Sequence, residues 1–187
     1  MQSGIQRRRA KGVGFVELVK LLKGYRREHS LGSLSQEAEN LLEQHVLPTE
    51  WYPFFGVREL IEVSYRLVLG QSADAALQVG IAGGCNALRS YHKNFVRPDD
   101  PLASILAMRH SWRLYFDFAR LSARLDGERA VRFVLEGYAD MTVAHGMMII
   151  GWHRAAGLVA GAETTTGVIL EAPWSHSSRR LVHIVKF

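Results

Sequence analysis

Apolar positions recur every three to four residues over 14 to about 28, where Phe15, Leu18, Val19, Leu22 and Tyr25 share one face. That spacing predicts an amphipathic helix. Leu31-Gly32-Ser33 breaks it, and Ser33 with Gln36 three residues on is a capping-box pattern. A short helix follows through Leu41, Leu42 and His45, and Pro48 ends it. Residues 57–69 turn Leu60, Ile61, Tyr65 and Val68 inward and stop at Gly70. Another helix is predicted from 73 to about 95, carrying Gly80, Gly83 and Gly84. Each glycine costs a helix about 1 kcal/mol against alanine, so three together imply that a second backbone, or a ligand, comes close. Asp100 before Pro101 is an N-cap followed by a first-turn proline. The helix it opens is expected to run to about 124, past Leu102, Ile105, Leu106, Trp112, Phe116 and Leu121. Asp126-Gly127 then turns the chain, and the alternation of Val131, Phe133 and Leu135 makes 130–138 a strand.

The stretch from about 142 to 161 is almost wholly apolar, with Trp152 and His153 at its centre. A helix with so little polar surface must be covered on most sides. Strand-like runs at 167–171 and 179–187 follow it. The pattern therefore predicts an α+β fold: about six helices packed on a three- to four-stranded antiparallel sheet. The 142–161 helix lies on that sheet, with the other helices on its far side. Residues 13–187 read as a single domain, preceded by a basic, flexible tail at 1–12.

Composition adds little except at the N-terminus. At 187 residues with 48% hydrophobic and 22% charged positions, the chain has the make-up of a globular domain with a real core. One cysteine excludes an intrachain disulfide framework and a multi-cysteine zinc site. His145, His153 and Arg154 interrupt the one stretch of membrane-span length, and no signal peptide is visible, so a cytoplasmic protein is expected. Of the net charge of +5, residues 1–29 supply an excess of basic side chains, including Arg7, Arg8, Arg9 and Lys11. Such a cluster could meet nucleic acid, an anionic membrane or an acidic partner, or be a solvated tail.

No catalytic signature is present. Gly80–Gly84 reads GIAGG inside a helix instead of between a strand and a helix, so it is no dinucleotide fingerprint. Cys85 reads as a buried inert thiol, with an acylated or redox thiol as the alternative. His145 and His153 stand roughly 12 Å apart along one helix, too far to chelate one metal, and each reads as a core histidine before a haem ligand. His92 and His110 sit among arginines and lysines, while His176 and His183 lie in or beside the last strands. Trp51, Tyr52, Phe54 and Phe55 form an aromatic cluster around Pro53, with Tyr52 held extended by the proline. They are a packed corner or a partner surface. Trp112, Tyr115, Phe116, Phe133, Met147, Met148 and Trp152 are the expected lining of any apolar cavity, aromatic and methionine side chains being adaptable there; core filling is the simpler reading.

Gly14-Phe15, Trp51-Tyr52-Pro53, Trp112-Arg113-Leu114-Tyr115 and Gly151-Trp152, in this order, resemble a myxobacterial paralogous family of uncharacterised proteins of similar length. Residues from about 100 onward are also similar to a wider ligand-binding superfamily. It includes the haem nitric-oxide/oxygen-binding domains, vinyl-reductase-like effector domains and the TRAPP small subunits. The resemblance implies a helix backing a small sheet, with a hydrophobic cavity between the helical layer and that sheet. It also implies a proximal histidine shortly before the first strand and Tyr-x-Ser-x-Arg after it in haem-binding members. Residues 121–127 carry no histidine, and Tyr138-Ala139-Asp140-Met141-Thr142 lacks the serine and arginine, so no cofactor is expected. Cysteines at the positions used by the effector domains and the acylated TRAPP subunit are missing too. The expected function is a non-enzymatic regulatory or sensor module that binds a small apolar ligand or a protein partner. The alternative is a TRAPP-like dimerising assembly module using 51–55 and the 57–69 helix.

Overall fold

The computed structural model describes residues 8–175 and 178–187, so Arg7 and His176 lie outside the described residues. The fold is α+β, with seven helices and antiparallel sheets of two and four strands among the described residues. The contacts of the described residues gather in two compact units. One unit is the described chain up to Gln71 with Arg113–Phe118; the other is Ser72–Trp112 with Ala119–Phe187.

In the first unit β1 (Arg9–Lys11) pairs antiparallel with β2 (Trp51–Pro53), setting Ala10 opposite Tyr52. Ala10 is buried and also bridges Phe116. Within the stretch expected as a basic tail, Arg9–Lys11 form β1. α1 (Val16–Arg26) buries Val19 and Leu22 as its periodicity predicts. α2 (Gln36–Glu43) is capped by Ser35, whose hydroxyl accepts from the Ala38 N–H, instead of by Ser33. A tertiary contact decides between them: Glu59 of α3 (Phe54–Leu67) takes both the Ser35 N–H, at 2.9 Å, and its hydroxyl.

The second unit holds α4 (Ala73–Ser90), α5 (Pro101–Ala107) and the four-stranded sheet. Asp100 caps α5 as predicted, accepting from the Ala103 N–H at 2.9 Å. The long helix expected to 124 does not form. α5 gives way to a 3-10 turn at Met108–His110 and to a single helical turn, α6 (Trp112–Tyr115). Ala119 then takes a left-handed conformation (φ 60°), and β3 (Arg120–Leu125) begins. β3 pairs with β4 (Ala130–Glu136), and Arg132 closes their turn on Asp126 at 2.9 Å. β6 (Arg180–Lys186) pairs with β4 on one side and β5 (Thr166–Glu171) on the other, giving the order β3-β4-β6-β5, all antiparallel.

α7 (Val143–Val159) lies between β4 and β5 in sequence, and Thr142 caps it. One of its faces meets the sheet, where Ile150 lies against Gly167 and His153 against Phe133. The opposite face takes α4. A Cβ on Gly80 would collide with the Met148 carbonyl, and one on Gly151 with that of Leu77. Gly84 likewise faces Trp152 and Ala155. Gly80, Gly84 and Gly151 therefore serve close packing of α4 on α7, whereas Gly146 faces Trp174 and Gly83 faces open space.

Candidate functional site

The polar centre of the second unit is a pair of histidines beneath α7. His153 comes from the middle of that helix and His183 from the middle of β6, and both are buried. His153 Nδ1 and His183 Nε2 are 2.9 Å apart, with the rings within 6° of parallel. Phe133, the residue opposite His183 on β4, lies parallel to both, 4.1 Å from His153 and 5.1 Å from His183 between ring centres. One proton serves the contact, so one imidazole donates and the other accepts. His183 Nδ1 is buried without a hydrogen-bond partner. Burial pushes the His183 pKa down to about 3. Burial, and then the neighbouring His183, hold His153 well below its ordinary value. Both rings are therefore neutral at physiological pH.

A second buried histidine contact stands at the N-terminal end of α7. His145 Nδ1 is 2.8 Å from the Tyr138 hydroxyl, and burial lowers the His145 pKa to about 4. As the sequence suggests, His145 and His153 are histidines hydrogen-bonded within a core. What the sequence does not reveal is the partner of His153. His183 lies thirty residues further on, and strand alternation gives its face without giving its register.

The expected cavity lining is distributed. Phe133 belongs to the buried cluster with Leu88, Ile105, Met108 and Val185, and half-buried Trp152 packs against that cluster. Met147 and Met148 are half-buried on α7, and Trp112 is buried in the same unit. Tyr115, also buried, and half-buried Phe116 belong to the other unit. Burial raises the Tyr115 pKa. Cys85 is half-buried on α4, and burial raises its thiol pKa against the pull of Arg89, which disfavours the reactive thiolate.

The aromatic cluster divides by burial. Tyr52 is in the core of the first unit, its hydroxyl accepting from the Leu47 N–H at 2.8 Å. Phe54 is buried against Phe116 and Phe118. Alternation along β2 and the first turn of α3 leaves Phe55 outward, 46% exposed, with Trp51 half-buried. The basic residues lie on aromatic faces: Arg8 on Phe118, Arg9 and Lys11 on Trp51. Arg9 is also paired with Asp117 at 2.7 Å.

No known family profile matches the chain, and no curated protein matches it. Solved structures do. An oxygen-binding H-NOX domain related to soluble guanylate cyclases superposes with a TM-score of 0.59 at 14% identity, covering 95% of this chain and 94% of that one. The fold is that of the H-NOX domains. An unliganded Fe(II) H-NOX mutant from K. algicida gives a TM-score of 0.61 at 11% identity, over 94% of this chain and 95% of that one. A mutant H-NOX from T. tengcongensis gives 0.59 at 13%, over 95% and 97%.

Those structures make haem the group to test against the residues present. The 121–127 stretch, read from sequence as the place for a proximal histidine, proves to be β3 and its turn. The chain leading into β3 does carry a histidine, His110, but that ring is exposed, with its Nε2 accepting from Arg109 Nε at 2.9 Å. After β4, Asp140 stands exposed where the motif has serine, and Thr142, in place of arginine, caps α7 through its hydroxyl. Thr142 has no positive charge with which to attract carboxylate-bearing groups, as the motif's arginine would. The residues at the motif positions do not fit the haem mode that the resemblance implies. No group of three His, Cys, Asp or Glu suited to a metal occurs among the described residues, and none of their helices is long and apolar enough to cross a membrane.

Proposed function

We propose that this chain is a non-enzymatic regulatory or sensor module that binds a small apolar ligand or a protein partner without haem. The observation that carries this reading is the likeness to H-NOX domains along 95% of the chain. Half-buried Met147, Met148 and Trp152 on α7 supply adaptable apolar surface. Binding there would bias the packing of α7, which both the sheet and α4 depend on; a ligand acts through differential affinity for two such packings. The same reading makes the protein cytoplasmic and a member of the myxobacterial family its motifs resemble.

A titration with the apolar fluorophore 1,8-ANS tests it. Saturable binding by the folded chain, weakened by Trp152→Ala, is the expected result. Fluorescence rising in proportion to dye, without saturation, would overturn the reading. Hemin added to the same protein should give no stoichiometric shift of its Soret band.

A second reading, an assembly module of the TRAPP kind, is favoured by the exposed Phe55, over whose ring Arg58 lies at 5.8 Å. Phe55→Ser should then convert a dimer to a folded monomer. Phe54 is no use in that test, since it is core.

A further inference from the structure

β5 ends the order β3-β4-β6-β5, so its outer edge presents the backbone groups that a further strand would take. Val168, Ile169 and Leu170 on it are exposed at 41%, 39% and 46%. Successive strand residues point to opposite faces, so apolar surface flanks this edge above and below. No charged residue occurs from Thr164 to Leu170. Glu171, which follows, is already held by Arg180 at 2.7 Å and by the Ser178 hydroxyl at 3.0 Å.

The opposite edge of the sheet is different. β3 exposes Arg120, Ser122 and Arg124, and charged side chains on an edge strand are a common defence against pairing. β3 carries charged side chains of its own, whereas at β5 the nearby cation is Arg154 of α7, which donates to Thr165 just before the strand. The occupant that fits the β5 edge is extended, uncharged and aliphatic on both faces, and β5 itself answers that description. Pairing β3 of one copy with β5 of the next would set arginines beside aliphatic residues and build an open fibre. Pairing β5 with β5 is isologous and closes on itself.

We propose that β5 pairs antiparallel with β5 of a second copy, joining two four-stranded sheets into one. A two-fold axis through Ile169 sets Ile169 against its own copy and Val168 against Leu170, and places each Glu171 opposite Gly167 instead of the other carboxylate. The shift in register between Ile169 and Glu171 limits the new ladder at that end. This surface is separate from the Phe55 surface and does not depend on the ligand reading.

Light scattering on the full chain over a range of micromolar concentrations tests it, beside hydrogen exchange of the 166–170 amides. The expected mass is twice 21.0 kDa. Ile169→Lys should return it to the single-chain value with unchanged far-UV circular dichroism, while Phe55→Ser leaves it doubled. In the wild type the outward-pointing β5 amides, every second one along the strand, should be protected at high concentration and lose that protection on dilution, a readout that stands even where the lysine variant fails to fold. A single-chain mass at every concentration would overturn the proposal. So would a dimer that Ile169→Lys leaves intact, or β5 exchange that dilution does not change.

Discussion

His145, His153 and His183 are buried as neutral rings in one unit, and that arrangement costs stability in acid. Their ordinary pKa is 6.5, and the fold lowers it to about 4 for His145 and about 3 for His183, with His153 also well below. A depressed folded value means that the unfolded chain takes up protons the native chain refuses. The contribution of these rings is therefore complete above pH 6.5 and is lost as pH falls from there toward 4 and below. Each ring steepens the decline by up to about 1.4 kcal/mol per pH unit. Urea denaturation at a series of pH values should show a plateau near neutrality and a steep fall beginning around pH 6. Stability that stays level down to pH 4 would show that the rings are charged, or reach water, in the native state. Replacing His153 with Leu should flatten the fall while leaving His183 Nε2 without its partner. The neutral-pH cost of that vacancy is about 1–3 kcal/mol.

At the scale of elements, α4 and α7 form the closest contact in the second unit, and their glycines separate into two kinds. Gly151→Ala would drive a methyl group into the Leu77 carbonyl and the Ile81 N–H of α4. Overpacking of this kind costs about 1–3 kcal/mol. Gly83→Ala meets nothing within 4 Å in the same helix and should stabilise by about 1 kcal/mol through helix propensity. Thermal melts of the two variants should move in opposite directions; a shared direction would contradict the packing. The sequence carried this pairing in part. A run of glycines inside a helical pattern announced a close approach, yet nothing in it named Met148 and Leu77 as the backbones approached. The same limit appears elsewhere. The α7 helix, the strands on either side of it and the Asp100 cap were legible because each depends on local periodicity or capping. β3 was not, because Leu114, Leu121 and Leu125 also satisfy helical spacing. The break before it is a left-handed alanine, Ala119, where no glycine marks the turn. That lost strand displaced the search for a proximal histidine into β3 itself and hid His110. The histidine pair escaped for a related reason: faces follow from alternation, whereas partners follow from register.

For the whole molecule, the likeness in fold to H-NOX domains extends along nearly the entire chain, while the residues at the motif positions differ. Asp140 and Thr142 stand where the haem-binding pattern has serine and arginine, and the histidine ahead of β3 faces outward beside Arg109. The H-NOX-like fold, with residues at the motif positions that differ from the haem-binding pattern, is the observation on which the proposed ligand-binding reading rests. On that reading the apolar stretch of α7 supplies the binding surface, and the proposed β5 pairing joins two copies. Native mass spectrometry of the purified protein, beside a denaturing spectrum, tests the claim most directly. The account predicts a non-covalent mass, other than that of haem, present in the native spectrum and lost on denaturation. A haem mass, or nothing beyond 21.0 kDa and its multiples, would contradict it.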